Sequence, residues 1–218
     1  LEAAEETVAA IVAAGGKAQA YSASVADYEQ NAEMVAAIEA DHGAVGILVN
    51  NAGIASRGQS VEQTDPAELQ RVVATHAFGP HYLSKLVIPK MRTLDRGDIV
   101  MISSVATRSL SGFGAPYNMG KTAMEALAYT LAKEERPNGI RVNIVAPGLV
   151  DTDMGQRLMN ALQGVEDIRT LDKSMPWGRV CQPEDVANVV KFLVSDANSY
   201  LTGERLYCDG GGQDIGRS

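Results

Sequence analysis

The chain has 218 residues, 45% of them hydrophobic and 21% charged, enough apolar material for one large core. A formal net charge of -8 disfavours nucleic acid and anionic membrane as partners, because phosphates would be repelled; backbone N–H groups could still hold a small phosphate-bearing ligand. No apolar run approaches a membrane span and no signal peptide is read, so a cytoplasmic location is expected.

Residues 2–14 are rich in Ala and Glu and stop at Gly15-Gly16, which predicts a helix. Residues 27–41 form a second helical pattern. Ile47-Leu48-Val49 is a short apolar strand that runs into Asn50-Asn51-Ala52-Gly53, a loop composition. Asp65-Pro66 opens a helix that continues to about Met91, interrupted at Gly79-Pro80. The next strand is 99–102, followed by Ser103-Ser104. A helix runs from Pro116 or Tyr117 to about Glu135, and a strand from 141 to 145 closes at Pro147-Gly148. Residues 184–194 are helical, and 204–208 form the last strand. Continuous apolar strands alternating with helices predict an α/β fold with a doubly wound parallel sheet covered on both faces. No repeat or linker breaks residues 1–218, so they read as one domain. Ligands of such sheets bind at the carboxyl ends of the strands. Those ends carry 50–53, Ser103-Ser104 and Pro147-Gly148, which nominates them as one site.

Tyr117 and Lys121 are four apart on the long helix, so they share one face. A lysine beside a phenol favours the phenolate and lowers its pKa, and a tyrosine so tuned can exchange a proton with a carbonyl or alcohol. Ser104 can donate a hydrogen bond to the same oxygen. Cys181 and Cys208 form no zinc pattern and read as unpaired thiols. His42 and His81 read as surface or packing residues, and no catalytic metal is expected.

The order of these motifs resembles that of the short-chain dehydrogenase/reductase family. Asn50-Asn51-Ala52-Gly53 is similar to its strand-ending motif. Ser104 lies thirteen residues before Tyr117, and Tyr117-Asn118-Met119-Gly120-Lys121 is similar to its active-site helix. Asn143 to Gly148 with Thr152, then Gly178-Arg179, Pro183-Glu184-Asp185-Val186-Ala187, Thr202-Gly203-Glu204 and Asp209-Gly210-Gly211 follow in the family's order. The resemblance implies a Rossmann-like oxidoreductase using NAD or NADP. Tyr117 would be the general acid/base, Lys121 would tune it and hold the nicotinamide ribose, and Ser104 would polarise the substrate carbonyl. Asn50, Ala52 and Gly53 would line the cofactor, as would Tyr117 and Lys121; Pro147, Gly148, Val150 and Thr152 would border its nicotinamide end.

The resemblance also implies that residues 153–180 cover the substrate. Met154, Leu158, Met159, Leu162, Met175 and Trp177 there suit a hydrophobic ketone or alcohol, a 3-oxoacyl thioester first and a steroid-type alcohol next. Members pair two long helices across subunits; here Ala123, Ala126 and Ala128 permit close approach, so a homotetramer is expected. Enoyl-thioester reductases typically space the tyrosine and lysine further apart, and sugar-nucleotide epimerases generally need a larger C-terminal substrate domain.

Three departures stand out. The sequence holds no glycine-rich turn of the family's opening kind, and Leu1 corresponds to a point just after the family's second strand; one βαβ unit of roughly 30 or more residues is therefore expected to lie outside this sequence. If the protein instead lacked that unit, dinucleotide binding would be severely weakened, and a non-catalytic interaction protein is the alternative. Ser24-Val25 replaces an acid that contacts adenine in the family. His76 replaces an asparagine whose backbone carbonyl, in the family, holds a water of a proton relay. Pro80, four residues on, lacks an N–H, so it is expected to build in a helix distortion that frees the carbonyl of residue 76. The imidazole of His76 would then add a proton carrier, or else be a neutral core-facing substitution.

Overall fold

The computed structural model describes residues 2–212. Helix α1 (Glu2–Ala13) has Glu2 and Glu5 in its first turn, where the helix dipole favours them, and buries none of its residues. Helix α2 (Tyr28–His42) is capped by Asp27, which accepts the Gln30 N–H, and ends at Gly43 with φ 83°. Strand β1 (Ile47–Asn50) follows. Helix α3 (Pro66–Val73) is capped by Asp65 on the Ala67 N–H, with Pro66 in its first turn.

The chain then widens into a π-helical turn, Ala74–Phe78, before resuming as α4 (Gly79–Met91). Pro80 explains the widening. It has no N–H for the carbonyl at 76, so the regular i to i+4 ladder cannot continue. The distortion expected at residue 76 is present, since His76 lies inside this turn.

Strand β2 (Gly97–Ile102) leads to the short helix α5 (Ala106–Ser109) and the long helix α6 (Ala115–Glu135). Strand β3 (Ile140–Pro147) is followed by α7 (Asp153–Gln163) and a 3-10 turn, Ile168–Ser174. Helix α8 (Pro183–Val194) starts with a capping box between Gln182 and Asp185, and β4 (Arg205–Cys208) completes the sheet.

The four strands are parallel and lie in the order β1-β2-β3-β4. Alternate residues of β2 and β3 serve opposite faces. Ile99, Met101, Val142 and Ile144 pack with Val35, Val87, Met91 and Met124 from α2, α4 and α6. Val100 and Val145 face α8, where Leu193 is buried against them. A separate cluster of Met159, Ile168 and Val180, with Leu149, Val165, Leu171 and Met175 against it, packs residues 149–180 on themselves. The doubly covered parallel sheet expected from the apolar runs is therefore the fold. Among the described residues no helix is long and apolar enough to cross a membrane.

At the end of the sheet away from the strand carboxyl termini, the Asp98 carboxylate receives Arg96 at 2.8 Å and Arg141 at 2.9 and 3.0 Å. At the opposite end the backbone leaves β1, β2, β3 and β4 at Asn50, Ser103, Gly148 and Asp209. Parallel pairing gathers those four exits on one side.

Candidate active site

Ser103 and Ser104 diverge as successive residues at a strand end do. Ser103 is buried, and its hydroxyl donates to Oε1 of Glu125 at 2.6 Å. Ser104 turns the other way. Its Oγ accepts the Ala106 N–H at 3.2 Å, and its hydroxyl lies close enough to the Tyr117 phenol to favour the phenolate.

Tyr117 stands in the first turn of α6 and Lys121 one turn later. Lys121 is only 4% exposed, and its Nζ donates to the carbonyl of Ile102 at 2.6 Å. The same Nζ lies 5.8 Å from the centroid of the Tyr117 ring. Burial pulls the Lys121 ammonium down to about 8, with the Glu125 carboxylate opposing. Burial pushes the Tyr117 phenol up, and the Ser104 hydrogen bond opposes that. The expected lowering of Tyr117 by Lys121 is thus corrected for this geometry. The ammonium is aimed at the end of β2, and desolvation dominates the phenol.

His76, in the π-helical turn, is fully buried and meets the Tyr117 ring edge-on at 5.1 Å between centroids. Its Nε2 lies 2.8 Å from the Ile54 carbonyl and 3.3 Å from the Ile54 N–H. One tautomer cannot make both bonds, and the shorter contact puts the proton on Nε2, donated to the carbonyl. Nδ1 is then a bare, buried acceptor without a partner. Burial first, and the Lys121 charge second, hold the imidazole down at about 4. The ring is therefore neutral near pH 7.

Two glycines are explained by this ring. A Cβ at Gly120 would lie 2.9 Å from Cβ of His76, and one at Gly53 would lie 2.8 Å from its Cε1. Both allow α6 and the loop after β1 to close on the imidazole. Of the other residues expected here, Asn50 is buried; its Nδ2 donates to Sδ of Met101 at 3.2 Å, while its Oδ1 has no partner. Ala52 is exposed beside it. Pro147 is buried and its carbonyl accepts the Val105 N–H at 3.0 Å. Gly148 donates to the Cys208 carbonyl at 3.0 Å, and Val150 forms a parallel bridge with Cys181. Thr152 caps α7, its Oγ1 accepting the Gly155 N–H at 3.1 Å. Its local role is structural.

Glu125 was not read from the sequence. It is buried one turn beyond Lys121, and its carboxylate gathers Ser103, the Thr107 hydroxyl at 2.8 Å and Nη1 of Arg205 at 2.6 Å. It ties α6 to the end of β2, to α5 and to β4. The available signal was its spacing, four from Lys121 and eight from Tyr117, which places all three on one face. Beside this cluster, Gly148, Leu149, Trp177, Tyr207 and Asp209 line an open cavity of about 550 Å³. No group of three or more His, Cys, Asp or Glu able to hold a metal ion occurs among the described residues.

A family model described as enoyl-(acyl carrier protein) reductase matches residues 1–213. A 3alpha-hydroxysteroid dehydrogenase of Mediterraneibacter gnavus is 38% identical over 86% of this chain and 72% of its own length. A 3-oxoacyl-(acyl-carrier-protein) reductase of Thermotoga maritima is 34% identical over 90% of this chain and 77% of its own. The crystal structure of an NAD+-bound xylitol dehydrogenase superposes with a TM-score of 0.89 at 28% identity, covering 96% of this chain and 85% of that one. Geometry and relatives agree: the chain belongs to the short-chain dehydrogenase/reductase family, NAD(P)-dependent oxidoreductases that pass a hydride between a nicotinamide cofactor and a ketone or secondary alcohol.

Proposed function

We propose that this protein reduces a hydrophobic ketone, with a 3-oxoacyl thioester as the first substrate class, and that Tyr117, Ser104 and Lys121 carry the reaction. The single observation behind the reading is a half-buried phenol whose pKa is raised by desolvation and opposed by the Ser104 hydroxyl. Leu110, Phe113, Met154, Leu158, Leu162 and Trp177, in the segments that follow β2 and β3, are all exposed. Apolar side chains in water suit an acyl chain.

The residues present fit the nicotinamide cofactor. Lys121 has donors left after serving Ile102, and Asn50 Oδ1 is a buried acceptor without a partner. In this reading Asn50, Ala52, Gly53, Tyr117 and Lys121 hold the cofactor, and Pro147, Gly148, Val150 and Thr152 border its nicotinamide end. When bound, that cofactor supplies the hydride. Ser104 donates a hydrogen bond to the substrate oxygen and so polarises the carbonyl. Tyr117, kept protonated near pH 7 by burial, gives its proton to the same oxygen. His76 braces the Tyr117 ring from the side.

A second reading, a hydroxysteroid dehydrogenase, is favoured by the 38% identity to the Mediterraneibacter gnavus enzyme. The two separate in one assay. Acetoacetyl coenzyme A and a 3-oxosteroid are each supplied with NADH or NADPH, and loss of the reduced cofactor is followed. Tyr117→Phe is expected to lower turnover about a thousandfold while leaving cofactor binding intact. Turnover retained in that variant would remove Tyr117 from the chemistry. A homotetramer built through α4 and α6, operating in the cytoplasm, completes the proposal. The small residues of α6 and the partly open face shared by Lys85, Ile88, Leu127 and Thr130 support the assembly, and solution mass tests it.

A further inference from the structure

Two thiols lie side by side next to the loop that leaves β3. Cys208 ends β4, and its carbonyl accepts the Gly148 N–H at 3.0 Å. Cys181 flanks the other end of the same loop. Its carbonyl accepts the Asp151 N–H at 2.8 Å, and it pairs with Val150 in an isolated bridge. Residues 148–151 are thus clasped between the backbone at 181 and at 208. The two Sγ atoms face each other at 4.0 Å, across 27 residues of sequence. Both thiols are free and partly buried, and both reach the cavity lined by Gly148 and Trp177, so a small oxidant has access.

We propose that Cys181 and Cys208 are a reversible dithiol–disulfide site that staples the segment before α8 to the end of β4. The backbone on both sides is already fixed by the hydrogen bonds to 148 and 151. The sulfurs need to approach by about 2 Å to reach a bond length of about 2.05 Å, a shift that side-chain rotation supplies. The oxidant is a low-molecular-weight disulfide such as oxidised glutathione. One cysteine thiolate attacks a glutathione sulfur and expels the first glutathione thiolate. The second cysteine attacks the protein sulfur of the mixed disulfide and expels the other. The protein loses two protons and two electrons, and the glutathione disulfide becomes two thiols.

Surroundings set the rate. Burial, the partner thiol and Asp185 push Cys181 up to about 12. Burial, with Asp185 and Asp209, also raises Cys208, against the opposing effects of its hydrogen bond with Cys181 and of Arg179. The thiolate is the nucleophile, so closure is slow near neutral pH and faster in mild alkali.

The test uses the intact protein, incubated without denaturant in oxidised glutathione at about pH 8.5, then blocked with iodoacetamide and digested without reductant. The expected product is a linked peptide pair containing Cys181 and Cys208. The intact mass falls by two hydrogen atoms, and dithiothreitol reverses the change. Closing this loop should raise Tm by about 5 °C or more. Cys208→Ser should give neither the link nor the rise. The proposal is overturned if both cysteines remain alkylatable after unfolding, if each carries only a glutathione adduct, or if Cys208→Ser shows the same rise.

Discussion

Lys121 and His76 show the same physics with different consequences. An ammonium held inside the protein near 8 instead of 10.5 costs about 3 kcal/mol of stability. The cost is complete below pH 8. It is relieved as pH rises from 8 to 10.5, because there the unfolded chain still binds the proton and the folded chain does not. Lys121→Met should therefore raise Tm near pH 7 and flatten the alkaline gain in stability, while turnover collapses. Thermal melts across that pH range and a single assay check both. His76 is held neutral, with its pKa near 4 instead of 6.5. Stability from this residue is present above pH 6.5. It is lost as pH falls toward 4, by about 3 kcal/mol, because the unfolded chain takes up the proton first. His76→Asn should remove that part of the acid sensitivity, visible as a shallower fall of Tm between pH 6.5 and 4. An unchanged slope would assign the acid sensitivity to other groups.

At the scale of elements, α6 is the part on which the site depends. One face of it carries Tyr117, Lys121 and Glu125, and Glu125 fastens that face to Ser103 and Arg205. Glu125 also raises the Lys121 pKa against burial. Glu125→Gln should thus shift the alkaline limb of the pH–activity profile to lower pH, and destabilise by about 3 kcal/mol by leaving Arg205 without its ionic partner. A profile that does not move would confine Glu125 to packing. The sequence made α6 legible through Pro116 and the spacing of Tyr117 and Lys121. It made the strands legible through their apolar runs, although β2 and β3 extend to Gly97 and Pro147, where ladder pairing rather than composition sets the limit. What stayed hidden depends on contacts distant in sequence. A mid-helix glutamate looks solvated until Arg205 is placed beside it. Gly120 looks like a neutral filler until the His76 Cβ occupies the space. The helix distortion, in contrast, was legible: a proline withholds a donor from a carbonyl four residues earlier, so Pro80 pointed to residue 76, and the π-helical turn lies at Ala74–Phe78.

At the scale of the molecule, every neighbour in the sheet is remote along the chain. Asn50 meets Met101 across 51 residues, Asp98 meets Arg141 across 43, and Asn143 meets Glu204 across 61. A parallel sheet offers no hairpin from which pairing can start, so each ladder closes a long loop before any of its contacts form. The time course of folding carries that cost. Helices α2, α4 and α6 can appear early, but the pocket needs four strand ends in register, and none of its walls is local. On dilution from urea, helical circular dichroism should return well before catalytic competence, and competence should track burial of the β3–β4 pair. Until that last strand docks, Arg205 is missing from Glu125 and Cys208 from the loop it clasps. The site is the slowest thing this chain makes, so a partly folded molecule has no active site.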